Sequence, residues 1–498
     1  MRRFLNFIEK VGNALPHPAI LFVLLALATL ILSAIGAFLG WSGVNPATGE
    51  PVDVVNLLSR DGIHRIILGM VANYTSFAPL GIVMVAMLGI GVAESSGLIR
   101  TTINFMLAKT PPAFITSMVV FAGVLSSMAA DVGYVLVIPL AGVIFHSLGR
   151  HPIAGLAAAF AGVSGGFAAN IFIAPIDPML AGFSTEAAKI IDPDYYVLPT
   201  AYYYFMAAST FLITLVCTFV TVKWIEPRLG KYTGNVPREE IEQPTALEKK
   251  GLCLAGLVVL GWIILLAAAV IPENGFLRGN DGTILSSPIL RGVVTLLFLS
   301  AASVGIVYGF TVGKFTRAED VINSMSDNIK ALASYLVLVF FAAQFVAWFN
   351  WSHLGLLLAI NGASLLENTH IGLIPLIIIF VTISAFINLF IGSASAKWAI
   401  LAPVFVPIFM LSGYSPELAQ AAYSIGDGVT NIITPLMPYF ALIIVYYQKY
   451  DKEAGIGTIV ATMLPFTITL YISWTLLLIG WILLGLPLGP GAPLYYAI

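Results

Sequence analysis

Along this chain, long apolar runs alternate with short polar ones. A run of about 20 apolar residues is long enough to cross a bilayer's hydrocarbon core as a helix. Nine runs fit that length: residues 17–40, 68–93, 152–182, 199–223, 251–271, 289–311, 331–361, 418–446 and 455–486. Two more, 113–147 and 371–411, are too long for one crossing, and polar residues interrupt each near its middle. If each enters and leaves on one face, the alternation of the other nine survives. The pattern predicts an all-α polytopic membrane protein with nine transmembrane helices and two re-entrant helical hairpins. The first run follows Arg2, Arg3 and Lys10 and is too long for a signal-peptide core, so it is expected to stay as the first helix.

Charge orients this drawing, because cytoplasmic loops carry excess Lys and Arg. With the N-terminus in the cytoplasm, only Arg60, Arg65, Lys189, Arg278 and Arg291 of the 23 basic residues fall in outside loops. Lys397 sits inside the second hairpin, and the other 17 lie inside. The first hairpin then opens from the cytoplasm and the second from outside. An internal repeat agrees. Ser127-Met-Ala-Ala-Asp131 is followed, 43 residues after Ser127, by Asn170, Pro175 and Pro178. Ser393-Ala-Ser-Ala-Lys397 is followed, 38 residues after Ser393, by Asn431, Pro435 and Pro438. Inverted repeats with broken helices are the architecture of secondary transporters, which bind substrate and coupling ion at the breaks. The organisation expected is a first half over 1–223, a cytoplasmic connector over 224–250 and a second half over 251–498.

Composition narrows the class. The 498 residues are 59% hydrophobic and only 10% charged, against about 25% charged in soluble domains. No basic patch suggests nucleic acid. Cys217 and Cys253 lie in apolar runs, which disfavours a disulfide framework or metal site. There is no HExxH motif, and the six histidines are scattered near loops, so no enzyme is expected.

Four charges fall at membrane depth: Asp131, Asp177, Lys397 and Asp427. Such residues are costly there and mark function by default. The plainer alternative is a structural ion pair such as Lys397 with Asp427, which would not exclude a transport role. Three carboxylates against one lysine favour uptake of a cation, since uncompensated buried charge is expensive. Hard oxygen donors for sodium abound at the tips and breaks: Ser126, Ser127, Asn170, Asn388, Ser393, Ser395, Thr430 and Asn431. The candidate sodium ligands are Ser127, Asp131, Asn170 and Asp177; no other cofactor is expected. Proton coupling through Asp177 or Asp427 is the alternative. Ser424, Asp427 and Asn431 share one helical face by their spacing of three and four, a spacing equally typical of a satisfied polar seam between helices. Trp398 is either a stacking surface for an aromatic ligand or plain core. The four prolines break or kink their helices, and Gly165, Gly166 and Gly392 permit close backbone approach.

At these residues the chain resembles a known family. GSASAKWA, SPELAQAAY-x-IGD-x-x-TNIITPLMPYF and SGGFAANIFIAPIDPMLAG are similar to the p-aminobenzoyl-glutamate transporter (AbgT) family, and the likeness runs over nearly the whole length. The resemblance implies a bacterial inner-membrane homodimer related to elevator-type, ion-coupled transporters. It implies p-aminobenzoyl-glutamate uptake or export of sulfonamide antimetabolites, with functional residues at Asp177, Asn388, Ser395, Trp398, Pro416, Asp427 and Pro435. One position departs: Ser424 stands where the family usually has the arginine of YRIGD. That leaves Lys397 as the basic side chain for a substrate carboxylate, and Asp427 as the partner expected for an arginine reintroduced at 424. The expected function is secondary transport of p-aminobenzoyl-glutamate or a related small organic anion, coupled to sodium; the alternative is proton-driven export of sulfonamide-like antimetabolites.

Overall fold

The computed structural model describes residues 16–44, 49–129, 132–237, 244–279, 282–283 and 287–497. Asp131, one of the four expected membrane charges, lies outside the described residues. The first half opens with α1 (Pro18–Leu39), ended by Gly40 in the left-handed conformation. A small antiparallel ribbon follows, β1 (Ser42–Val44) on β2 (Pro51–Asp53). Next come α2 (Arg60–Thr75) and α3 (Ala78–Ser95), which together make one 36-residue apolar span. Then α4 (Leu98–Lys109) turns by 118° into the first hairpin. That hairpin consists of α5 (Ile115–Leu125) with a tight extension to Ala129, and a returning arm that begins at Gly133 and continues as α6 (Ile138–Ser147). The half closes with α7 (Pro152–Phe160), α8 (Ile176–Ala188) and α9 (Tyr203–Val220).

After the short α10 (Glu226–Leu229), the second half begins at α11 (Ala246–Val270), started by a capping box between Thr245 and Glu248. It continues through α12 (Pro288–Arg291), α13 (Val293–Val312), α14 (Ala318–Ala331), α15 (Ala333–Trp351) and α16 (Leu354–Asn368). The second hairpin is α17 (Leu373–Asn388) and α18 (Ala394–Leu411). Phe380 meets Phe405 at 4.5 Å and Phe409 at 5.4 Å between ring centroids, so its two arms lie side by side. The chain ends with α19 (Pro416–Asn431), α20 (Phe440–Gln448) and α21 (Ile456–Leu483).

The protein is a multi-pass, all-α membrane protein. Among the described residues, eight helices are long and apolar enough to cross, or up to nine with the bent α4–α5 pair taken as one span. Three of the spans drawn from the sequence are not single helices. The run 152–182 divides into α7, with a wide turn through Gly165, and α8. The run 418–446 divides into α19 and α20 around Pro435 and Pro438. The run 331–361 stops at Trp351, because His353 takes a left-handed φ of 61°. Its ring Nδ1 then lies 2.9 Å from the Asp53 carbonyl, tying the new helix to the ribbon. Apolar continuity, which ignores such backbone geometry, carried the expected span too far. The amphipathic α4 and α14 also escaped it.

One large core unites both hairpins with α1, α4, α7, α8, α9, α15, α19, α20 and α21. Outside it, α3 and α13 cross at contact distance. A Cβ on Gly89 would meet the Phe298 backbone at 2.5 Å, and one on Gly305 would meet Ala93 at 2.6 Å. Small residues at such crossings let helices pack in lipid without a hydrophobic driving force. By contrast, α11 presents Ile263, Ile264 and Leu265 outward, as a lipid-facing helix does.

Candidate functional site

The two broken helices meet at the centre. A Cβ on Gly428 of α19 would lie 2.7 Å from the Gly165 carbonyl, so two glycine-bearing backbones touch where the helices break. The second hairpin's tip is equally close: a Cβ on Gly392 would lie 2.5 Å from the Leu436 carbonyl. A side chain at either position would push the tip or helix off its partner.

This approach puts Lys397 against α19. Its ammonium is fully buried, donates to the Asn388 side-chain oxygen and forms an ion pair with Asp427 Oδ1, itself 1% exposed. The pair that the sequence allowed is therefore formed. Asn388 Nδ2 faces the Asp427 carbonyl (2.6 Å), Thr430 Oγ1 (2.9 Å) and Asn431 Oδ1 (3.0 Å). Asn431 Nδ2 in turn donates to Asp427 Oδ2 at 3.2 Å. Burying a charge is tolerable only when it is paired and its remaining sites are hydrogen-bonded, and here both ions are served.

Asp177 is different. It lies in the first turn of α8 and is 1% exposed. It accepts from the Ala174 amide at 2.7 Å and from the Tyr202 hydroxyl at 2.9 Å. No cation pairs with it among the described residues. The Tyr202 hydroxyl lies next to the Ser424 hydroxyl, and Asp427 is also within its electrostatic reach. Ser424 Oγ is buried and makes no hydrogen bond in good geometry. Tyr202 thus stands between the first-half carboxylate and the second-half ion pair. Three of the expected membrane charges, Asp177, Lys397 and Asp427, converge on one buried cluster.

Other expected residues stand around it. Trp398 is fully enclosed: its ring stacks on Tyr423 at 4.5 Å and its indole N–H faces Ser184 Oγ (3.0 Å) and the Leu180 carbonyl (3.2 Å). It links the second hairpin to α8 in this conformation. Ser393 caps α18 by accepting from the Ala396 amide, and lies 3.3 Å from Ser395. Both serines are half-buried at the tip. Pro435 lies half-buried in the break after α19. Pro416 begins α19, about three turns from Asp427, and is not part of the cluster.

In the first hairpin, Asn170 Nδ2 donates to Ser127 Oγ at 2.9 Å, so tip and broken helix are tied here too. Ser126 turns back to the Gly123 carbonyl at 2.6 Å. No hydrogen bond among the described residues joins the Ser127–Asn170 pair to Asp177. The expected sodium donors therefore fall into separate groups: Ser127 with Asn170, Asn388 with Thr430 and Asn431, and Ser393 with Ser395, while Ser126 is turned back on its own helix.

Residues not foreseen complete the picture. Gln420 accepts from Ser184 at 2.6 Å, and Glu417 accepts from the Tyr195 hydroxyl at 3.0 Å. Both continue the three-and-four spacing of Ser424, Asp427 and Asn431 toward the start of α19, so the period itself could have revealed them. Tyr202 carries no such signal, because it lies in the irregular segment before α9.

The whole chain has close relatives. Residues 3–496 match the profile of the AbgT putative transporter family. The p-aminobenzoyl-glutamate transport protein of Escherichia coli (strain K12) is 38% identical over 487 residues, covering 98% of this chain and 96% of that protein. Among solved structures, the YdaH transporter of Alcanivorax borkumensis is 47% identical, with a TM-score of 0.91 over 95% of this chain and all of that one. MtrF of Neisseria gonorrhoeae, described with a class of antimetabolite efflux pumps, is 49% identical, with a TM-score of 0.93 over 98% of this chain and all of that one. Family members are transporters rather than enzymes. The chain belongs to the AbgT putative transporter family.

Proposed function

We propose that this protein is a secondary active transporter of p-aminobenzoyl-glutamate or a related small organic anion. Coupling to a cation at Asp177 drives it, and sodium is that cation. The observation carrying this reading is the pairing pattern: Lys397 already neutralises Asp427, whereas Asp177 is buried with hydrogen-bond donors but, among the described residues, no positive partner. A carboxylate in that state is stabilised by taking up a cation. The name of the 38% identical relative supports the substrate class. In this reading the hairpins move with the broken helices as an elevator-type body, the two halves are oppositely oriented, and the protein works as a homodimer in a bacterial inner membrane with its N-terminus in the cytoplasm.

A second reading, proton-driven export of antimetabolites, is favoured by the Tyr202 hydroxyl on Asp177, with the Ser424 hydroxyl next to that of Tyr202. Purified protein in liposomes separates the two. Radiolabelled p-aminobenzoyl-glutamate is expected to accumulate when a sodium gradient alone is imposed and to stay at equilibrium under a pH gradient alone. The reverse result selects the second reading. Movement under neither gradient removes cation coupling.

A further inference from the structure

One face of α19 is polar from end to end: Glu417, Gln420, Ser424, Asp427 and Asn431, spaced three and four apart and all buried. From Glu417 to Asp427 this seam runs about 15 Å. Its start lies where both ends of the second hairpin emerge, under the C-terminal segment. There the Ser415 amide donates to the Leu494 carbonyl and the Tyr496 amide to the Gly413 carbonyl. Glu417, 4% exposed, accepts from Tyr195, whose ring meets that of Tyr496, and the Tyr496 hydroxyl donates to Asp192 at 3.4 Å. Along the seam, α8 presents Ser184 and Asp177, α17 presents Asn388, α18 presents Lys397 paired with Asp427, and Tyr202 stands against Ser424. In its middle, Gln420 Nε2 lacks a hydrogen-bond partner among the described residues, and Ser424 Oγ, next to the Tyr202 hydroxyl, makes no hydrogen bond in good geometry, on residues 0% and 2% exposed. Fully buried polar groups are rarely left this way without a bridging water or a function.

We propose that this seam is a proton path joining Glu417, at the hairpin-2 face, to Asp177 at the centre. The proposal rests on the second, proton-driven reading. A proton leaves the Glu417 carboxyl for water hydrogen-bonded to the Gln420 amide and reaches the Ser424 hydroxyl. Ser424 passes a proton to the Tyr202 oxygen as the Tyr202 hydroxyl proton moves to Asp177. One O–H bond breaks at Glu417, one forms at Asp177, and every intermediate hydroxyl is restored. Tyr195 holds the Glu417 carboxyl in place at the entrance.

Net flux and exchange distinguish a path from a prop. The proton-driven reading, on which the path rests, requires wild-type protein in liposomes carrying a pH-sensitive dye to move p-aminobenzoyl-glutamate and protons together under a pH gradient. Glu417→Gln should lower that net flux at least tenfold. Exchange of labelled for unlabelled p-aminobenzoyl-glutamate at equal pH, which needs no proton release, should stay within twofold. Glu417→Asp, which keeps a carboxyl, should retain at least half the net flux, and Tyr195→Phe should lower it about threefold. Unchanged net flux in Glu417→Gln, or equal loss of flux and exchange, overturns the path. A wild-type protein driven by sodium alone also overturns it, while leaving the transport reading standing.

Discussion

Replacing Lys397 by Met should cost far more than replacing the whole ion pair. Lys397→Met leaves Asp427 buried without its cation, supported by neutral groups such as the Asn431 amide at 3.2 Å. It also strips the Asn388 oxygen of its donor, while Asn388 Nδ2 keeps its three contacts. Removing one member of a buried pair costs about 3–5 kcal/mol, because the survivor is an uncompensated charge. That is roughly a 10²- to 4 × 10³-fold shift in the unfolding equilibrium. Asp427→Asn should lose a similar amount, since Lys397 then keeps only neutral acceptors. The double variant Lys397→Met/Asp427→Asn removes both charges and should lie within about 1–2 kcal/mol of wild type. Unfolding in mixed micelles titrated with a denaturing detergent, followed by tryptophan fluorescence, gives all four stabilities. The cycle should return a coupling of at least about 4 kcal/mol. Strictly additive losses would refute the account of a mutually dependent pair and make Lys397 and Asp427 independent packing residues.

Asp177→Asn should reach the membrane at near-normal abundance yet lose at least tenfold of cation-driven transport; near-normal transport on quantitative blotting and flux assays would remove it from the mechanism. Ser424→Arg should bind glutamate-bearing ligands about tenfold more tightly, since a charged hydrogen bond contributes roughly 1.5–3 kcal/mol. Because Asp427 is already paired with Lys397, the new guanidinium should meet Asp177 across Tyr202, and the gain should come with weaker cation dependence. Unchanged affinity by calorimetry would place carboxylate recognition elsewhere. His151 caps α7 by accepting from the Ile153 amide, and burial holds its pKa below the ordinary 6.5. Its folded pKa is depressed, so its contribution should be present above about pH 6.5 and fade as the pH falls through the folded value; thermal scans from pH 7.5 to 5 should show that slope in wild type but not in His151→Ala. Single cysteines at Ser395 and Ser127 should label with impermeant reagents from opposite sides, and labelling of both from one side only would contradict opposed hairpins.

The sequence made the membrane class, both hairpins and the buried Lys397 of the second hairpin legible, because hydrocarbon allows so few ways to bury a backbone polar group. Ser424, Asp427 and Asn431 could be placed on one face for the same kind of reason, a fixed helical period. Other features depend on what folding brings near. Nothing at position 202 distinguishes a tyrosine that reaches Asp177 from one at a lipid boundary. Trp398 reads equally as ligand platform or core until Tyr423 and Ser184 are seen against it. The Lys397–Asp427 pair could be named from the sequence only as an alternative; that it forms depends on the turn at Gly392, which brings Lys397 against α19. The end of the helix at Trp351 escaped because a left-handed histidine leaves no mark in hydropathy.

The central claim, that Asp177 joins substrate and cation, is tested most directly by linkage at equilibrium. Binding of p-aminobenzoyl-glutamate to purified protein can be titrated from zero to 100 mM sodium at fixed pH, and across pH without sodium, in wild type and Asp177→Asn. Coupling is reciprocal, so wild-type affinity should rise about tenfold or more with the coupling cation, and Asp177→Asn should show one cation-independent affinity. A wild-type affinity indifferent to both sodium and pH, or an undiminished dependence in Asp177→Asn, would contradict the account.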